Sequence, residues 1–259
     1  MTFAPPPRSE KPRSAGITAM IDFGPDEMGW TGENGLRDLM ACAAPFIDMA
    51  KIYALNAILM PEDAVKANVA IYRDNDVTPY TGGVLFEYAY LRSEVDDMLD
   101  HVERLGVPSL EISENYVTLE PNARHDFIAR AAGRGFAVIW EFGRKNPEEP
   151  FDLDEVGAMI QGAMDAGARH VILEQSELDM LEDVSPDDFA KLSGQSWFPD
   201  ALIEGDPYRF PRQHGEIIRQ FGPEVNFANI AAGQCYRLEG LRRGIGRAVD
   251  YAMFRNYGL

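Results

Sequence analysis

Four stretches of the chain share one form: ERLGVPSLEIS (Glu103–Ser113), RAAGRGFAVIWE (Arg130–Glu141), MDAGARHVILE (Met164–Glu174) and RQFGPEVNFAN (Arg219–Asn229). Each passes from the end of a helical pattern, through a glycine, into a short apolar run that closes on a polar residue. Glycine suits the left-handed position that ends a helix. An apolar run of this length suits a strand buried on both faces. Working outward, the same cycle covers the chain. Apolar runs lie at Gly16–Asp22, Phe46–Tyr53, Val77–Leu85, Ser109–Ser113, Phe136–Phe142, His170–Gln175, Ala201–Glu204 and Val225–Ile230. Helical candidates alternate with them: Gly35–Ala44, Pro61–Asn75, Ser93–Leu105, Pro121–Arg134, Leu153–Ala166, Ser185–Leu192, Arg212–Phe221 and Arg237–Tyr251. Ser93 and Ser185 are expected to cap the helices they precede, with Pro186 at a first helical position. Gly106, Gly135, Gly167 and Gly222 are expected to end helices. Repeated strand–helix units imply a parallel sheet. Eight of them in about 240 residues predict a single-domain α/β fold, the (β/α)8 TIM barrel, over residues 16–259. A doubly wound open sheet is the alternative. It is weakened because no GxGxxG follows the first run.

Residues 1–15, MTFAPPPRSEKPRSA, are proline-rich and polar. They read as a disordered or loosely docked tail and lack the apolar stretch of a secretory signal. The 259 residues carry 24 Lys+Arg against 42 Asp+Glu, a net charge of −18. Such a chain repels phosphate backbones, so nucleic acid is not an expected partner. A small anionic substrate would need a local basic pocket or a metal. No apolar run approaches the ~20 residues of a membrane helix. Two cysteines, Cys42 and Cys235, form no CxxC and no disulfide framework, which suits a reducing cytoplasm.

Enzymes on this fold place their chemistry at the C-terminal ends of the strands. The polar residues closing the runs are therefore the informative ones. Asp22 closes the first, where it is either catalytic or a cap for the next helix. Lys51 lies inside the second, and a lysine in a barrel interior is costly unless carboxylates pair with it. Gly82 and Gly83 follow the third and form a simple turn or a close backbone approach to an anion. Glu111, Glu141, Glu174 and Glu204 end four consecutive runs, with Ser113 beside the first and Asn229 on the eighth. On a closed barrel these acids converge. Crowded carboxylates must bind a cation, share protons or pair with bases, and oxygen-only ligands suit Mg2+. Lys145 sits in the turn after the fifth run. His101, His125, His170 and His214 have no metal-ligand spacing and read as surface or packing residues. Arg242 and Arg243 read as the solvated basic edge of the last helix.

The stretch TGGVLFEYAY (Thr81–Tyr90) resembles the PGGTLFEYAY motif of archaeal phosphosulfolactate synthases. SLEIS (Ser109–Ser113), WEFGRK (Trp140–Lys145), HVILE (His170–Glu174) and NFANIA with LEGLRRG (Asn226–Gly244) resemble further motifs in the same order, across nearly the whole chain after the tail. The resemblance implies a (β/α)8 barrel and a Mg2+-dependent addition of sulfite to phosphoenolpyruvate, an early step of coenzyme M biosynthesis. It implies an enolate-type intermediate that a lysine, here Lys145, protonates at C2. It aligns Asp22, Lys51, Glu111, Glu141 and Glu174 with the family's strand-end residues, and it implies a homo-oligomer.

The chain also differs from that pattern. Phe23 stands where the family has a lysine, Ile52–Ala57 replaces a glycine-rich segment, and Gln175-Ser176-Glu177 replaces a Gly-Arg-Glu. Arg209 and Arg212, after the seventh run, are candidates to supply the missing positive charge. Phe23 and Tyr53 imply a more apolar pocket. Two alternatives follow: the same site acting on another enol or carboxylate without sulfite, and a barrel that has lost catalysis and serves in binding or stress.

Overall fold

The computed structural model describes residues 3–257. The first two residues of the expected tail and the last two of the expected barrel lie outside them. Eight strands form the barrel: β1 (Thr18–Asp22), β2 (Met49–Ile52), β3 (Thr78–Thr81), β4 (Ser109–Ser113), β5 (Ala137–Phe142), β6 (Ala168–Leu173), β7 (Ala201–Glu204) and β8 (Phe227–Ala231). Every neighbouring pair is parallel, and β8 closes on β1. All strand C-termini therefore open on one mouth. The helices are α1 (Glu33–Ala43), α2 (Asn56–Leu59), α3 (Glu62–Asp74), α4 (Gly83–Leu91), α5 (Val95–Arg104), α6 (Pro121–Gly133), α7 (Leu153–Ala166), α8 (Gln175–Val184), α9 (Pro186–Lys191), α10 (Arg212–Phe221) and α11 (Cys235–Arg242).

Strand alternation builds two cores. Ile17, Ala19, Met49, Tyr80, Ile139, Ile172, Leu202 and Ala228 fill the barrel interior. The intervening residues, such as Met20, Ala50, Leu110, Val138, Trp140, Val171 and Ile203, face outward and pack with the helices. Glycines end helices as expected, for example Gly167 after α7 (φ 115°) and Gly222 after α10 (φ 89°).

The structure corrects several expectations. The run Val77–Leu85 is not one strand: β3 stops at Thr81 and α4 begins at Gly83. Its residues VLF are apolar with no visible period because α4 is buried along much of its length. Helix α8 was not anticipated, since QSELDMLEDV is acidic and follows the strand end at once. Ser93 does not cap α5. Glu94 holds that position without a side-chain bond, and Ser93 has a φ of 59°. Ser185 precedes α9 without a side-chain bond. The last helix stops at Arg242, before Gly244 and Gly246.

Arg242 is buried rather than solvated. It donates to the carbonyls of Pro223, Val225 and Ile17 at the N-terminal face of the barrel, away from the mouth. Two arginines of the tail bind the barrel. Arg8 binds Glu224 and the Gly16 carbonyl, and Arg13 binds Asp48 and the Pro45 carbonyl. Among the described residues no helix is long and apolar enough to cross a membrane.

Candidate active site

On four strands the inner-facing layer turns from apolar to charged two residues along. Met49 gives way to Lys51, Ile139 to Glu141, Ile172 to Glu174 and Leu202 to Glu204. Glu111 of β4 joins them, so the mouth collects four buried acids. Lys51 is itself buried. Its Nζ lies 2.7 Å from Glu111 Oε2 and 3.6 Å from Glu141 Oε2. Lys145 reaches over from the loop after β5. Its Nζ hydrogen-bonds Glu174 Oε2 and lies 3.5 Å from Glu204 Oε1 and 3.8 Å from Glu141 Oε1. A third of its side chain remains exposed. Lys51 thus faces two acids and Lys145 three, with Glu141 common to both.

Four acids against two ammonium groups leave excess negative charge, and proton uptake relieves it. Burial pushes Glu111 up to about 8 against the opposing pull of Lys51. Burial works in the same direction on Glu141, but Lys51, a hydrogen bond with Glu111, Lys145 and Asn115 together hold it down to about 2. Burial and the neighbouring charge of Glu204 push Glu174 up to about 9. Burial disfavours both ammonium groups, yet the surrounding carboxylates outweigh it and raise Lys51 and Lys145 above the ordinary lysine range.

A pH prediction follows from Glu111. Between its unfolded value near 4.5 and about 8, the folded chain holds a proton that the unfolded chain has lost. Its contribution to stability is therefore complete below that window and declines as pH rises through it. Glu111→Gln, which keeps the neutral shape, should flatten this slope. Urea unfolding of both proteins at pH 5.5 and 8.5 measures it, and parallel slopes would show that Glu111 is not the proton holder.

Gly82 and Gly83 serve the site through the backbone. Gly83 N–H donates to Glu111 Oε1 at 2.7 Å, so the anion approached is Glu111 itself. A Cβ on Gly83 would lie 2.3 Å from Ser113 Oγ, and one on Gly82 would lie 3.3 Å from Lys51 Cδ. Ser113 donates to Glu87 of α4. Glu87 also accepts the backbone N–H groups of Asn115, Tyr116 and Val117, which pins the loop after β4. Asn115 in turn donates to Glu141 Oε1 at 2.8 Å and to the Gly143 carbonyl at 3.2 Å. Asn229 has a φ of 57°, which its short polar side chain tolerates. That turn brings its Nδ2 to Glu204 Oε1 and leaves its buried Oδ1 without a partner.

Three expected site residues lie elsewhere. Ile21, not Asp22, is in register with Lys51, so Asp22 points to the helix side of β1. There it accepts from Tyr72 Oη (2.6 Å), Gly24 N (2.8 Å) and Thr31 Oγ1. Arg209 pairs with Asp179 at 2.7 Å in the groove between α8 and α10. Arg212 is exposed at the start of α10. Residues missed in the sequence are Tyr80 and Asn115. The signal for Tyr80 was its place two residues before the Gly-Gly pair. Asn115 carried no signal, because its partners Glu141 and Gly143 are remote in the chain.

Glu141, Glu174 and Glu204 each offer one carboxylate oxygen, all within 4.8 Å of one another. With the unpartnered Asn229 Oδ1 alongside, this is a hard, oxygen-only donor set of the kind Mg2+ takes. Glu111 stands apart, bound by Lys51 and Gly83.

A closed parallel barrel whose mouth holds buried lysine–glutamate pairs defines an enzyme of the TIM-barrel class. Solved structures agree on the fold. N-acetylneuraminate lyase from Fusobacterium nucleatum superposes with a TM-score of 0.53 at 14% identity, covering 94% of this chain and 81% of that one. Deoxyribose phosphate aldolase from Aeropyrum pernix gives 0.51 at 12%, covering 86% and 89%. The family model for (2R)-phospho-3-sulfolactate synthase (ComA) matches residues 6–247. Phosphosulfolactate synthase of Methanothermobacter thermautotrophicus is 33% identical over 252 residues, 94% of each chain. That of Methanocaldococcus jannaschii is 31% identical, over 89% of this chain and 92% of its own. That of Bacillus subtilis is 28% identical, over 93% and 94%. The chain belongs to the phosphosulfolactate synthase family and is a lyase-type enzyme.

Proposed function

We propose that this enzyme adds sulfite to phosphoenolpyruvate, with Mg2+ held by Glu141, Glu174 and Glu204. The observation that carries this reading is the Lys145 ammonium seated among those three carboxylates at the barrel mouth. When bound, the ion would neutralise the charge that builds on the substrate carboxylate. Lys51, fixed by Glu111 and Glu141, adds positive charge from below. The sulfur lone pair forms a bond to the methylene carbon C3, and the C2–C3 π electrons move onto the carboxylate. The resulting enolate-type intermediate takes a proton at C2 from Lys145. That ammonium is kept charged by its carboxylates and can be reprotonated through the exposed part of its side chain. The phosphate stays on the C2 oxygen, so atoms and charge balance.

The test is direct incubation with phosphoenolpyruvate, sulfite and Mg2+, with product detected by phosphorus NMR. The expected product is phosphosulfolactate, lost on chelation. No product at any metal concentration would end this reading. In that case a second reading stands, another enol or carboxylate substrate without sulfite. It is favoured by Phe23 and Tyr53, which pack edge-on at 4.8 Å beyond the ends of β1 and β2. A homo-oligomer is also proposed, because Ile58, Leu59, Tyr88 and Leu91 of α2 and α4 expose apolar surface that an assembly would cover.

A further inference from the structure

Below the charged mouth the barrel holds a buried phenol that the proposed reaction leaves unused. Tyr80 of β3 is fully buried on the inner layer. It is in strand register with Lys51, whose Nζ lies 5.9 Å from the centre of its ring. Its hydroxyl has no hydrogen-bond partner among the described residues. A buried tyrosine normally finds one, and a donor left unpaired destabilises the fold. Phenylalanine would fill the same space without that cost. The charges that act on the phenol are those of Lys51, Glu111, Glu141 and Glu204. Burial, the largest influence, raises its pKa, so it stays an O–H donor at physiological pH.

We propose that Tyr80 is a substrate-binding residue whose hydroxyl, beside Lys51, donates to the carboxylate or enolate oxygen of the substrate. The inference rests on the mouth being an enolate site. Its ligand class is a small planar oxyanion. A neutral donor fixed in a dry barrel needs no reorganisation as charge develops, which is where such donors stabilise most. It also adds no positive charge that would compete for the four acids.

Tyr80→Phe tests this through two measurements that a packing role would move together. Oxalate, a planar dianion shaped like the enolate of pyruvate, is titrated with Mg2+ by calorimetry into both proteins. Thermal unfolding is then followed without ligand. The expected result is oxalate binding weaker by roughly tenfold to a hundredfold, with Tm equal to or above that of the unaltered protein. A smaller loss of binding overturns the proposal. So does a lowered Tm or a failure to fold, either of which would make the hydroxyl structural. If the unaltered protein itself binds no oxalate, the enolate-site reading falls, which is a different failure from equal binding by both.

Discussion

Lys145→Ala should lower turnover of phosphoenolpyruvate and sulfite by about 10²–10⁴-fold, the range of a lost general acid. The same substitution should tighten metal binding. The Lys145 ammonium contacts Glu141, Glu174 and Glu204, whose oxygens a divalent ion would also use, so the two cations share these carboxylates and repel each other. Removing the lysine removes that repulsion, and Mn2+ titration followed by electron paramagnetic resonance should show a lower Kd. Stability should change little. The side chain is a third exposed, and Glu174, pushed up to about 9, is already neutral at pH 7, so loss of the ammonium strands little charge there. A Lys145→Ala protein with full turnover would remove its role as the acid, and one that binds Mn2+ less well would remove its effect on the metal.

Lys51→Met should act in the opposite balance, with a large loss of stability as well as activity. Lys51 is buried, and both of its partners are buried with it. Breaking one side of such a pair typically costs about 3–5 kcal/mol, because the remaining charge has neither water nor counter-ion. Burial already drives Glu111 toward its neutral form, so the uncompensated charge falls chiefly on Glu141. Adding Glu141→Gln to Lys51→Met should therefore recover much of the loss, whereas Lys145→Ala added to it should not. Chemical denaturation of the three variants measures this. A Lys51→Met protein within about 1 kcal/mol of the unaltered one would mean that the pair is not coupled to folding.

The contrast between these lysines shows where sequence and structure divide. Lys51 announced itself, since a lysine inside IDMAKIYAL has few outcomes other than pairing with buried acids. Lys145 did not. In a turn its ordinary fate is exposure, and only the curvature of the barrel brings β5 and β7 near enough for one side chain to reach Glu141, Glu174 and Glu204. Asp22 shows the same divide in the other direction. It closes the first run as Glu141 closes the fifth, but a strand alternates every residue, and the pairing of Ile21 with Lys51 turns Asp22 to the helices. Arg242 had the composition of a solvated edge and became a buried donor to carbonyls just before β1 and β8.

The sequence by itself determined the repeating unit, the parallel barrel and the acids at the strand ends. These depend on period, on helix-ending glycines and on local burial, all of which are written in neighbouring residues. Tertiary structure alone decided which acids share a lysine, that Glu87 and Asn115 hold the loop beside Glu141, and that the Tyr80 hydroxyl has no partner. Those facts depend on strand stagger and side-chain direction across the closed sheet. A shift of one residue in register would change them while leaving every local pattern as it is.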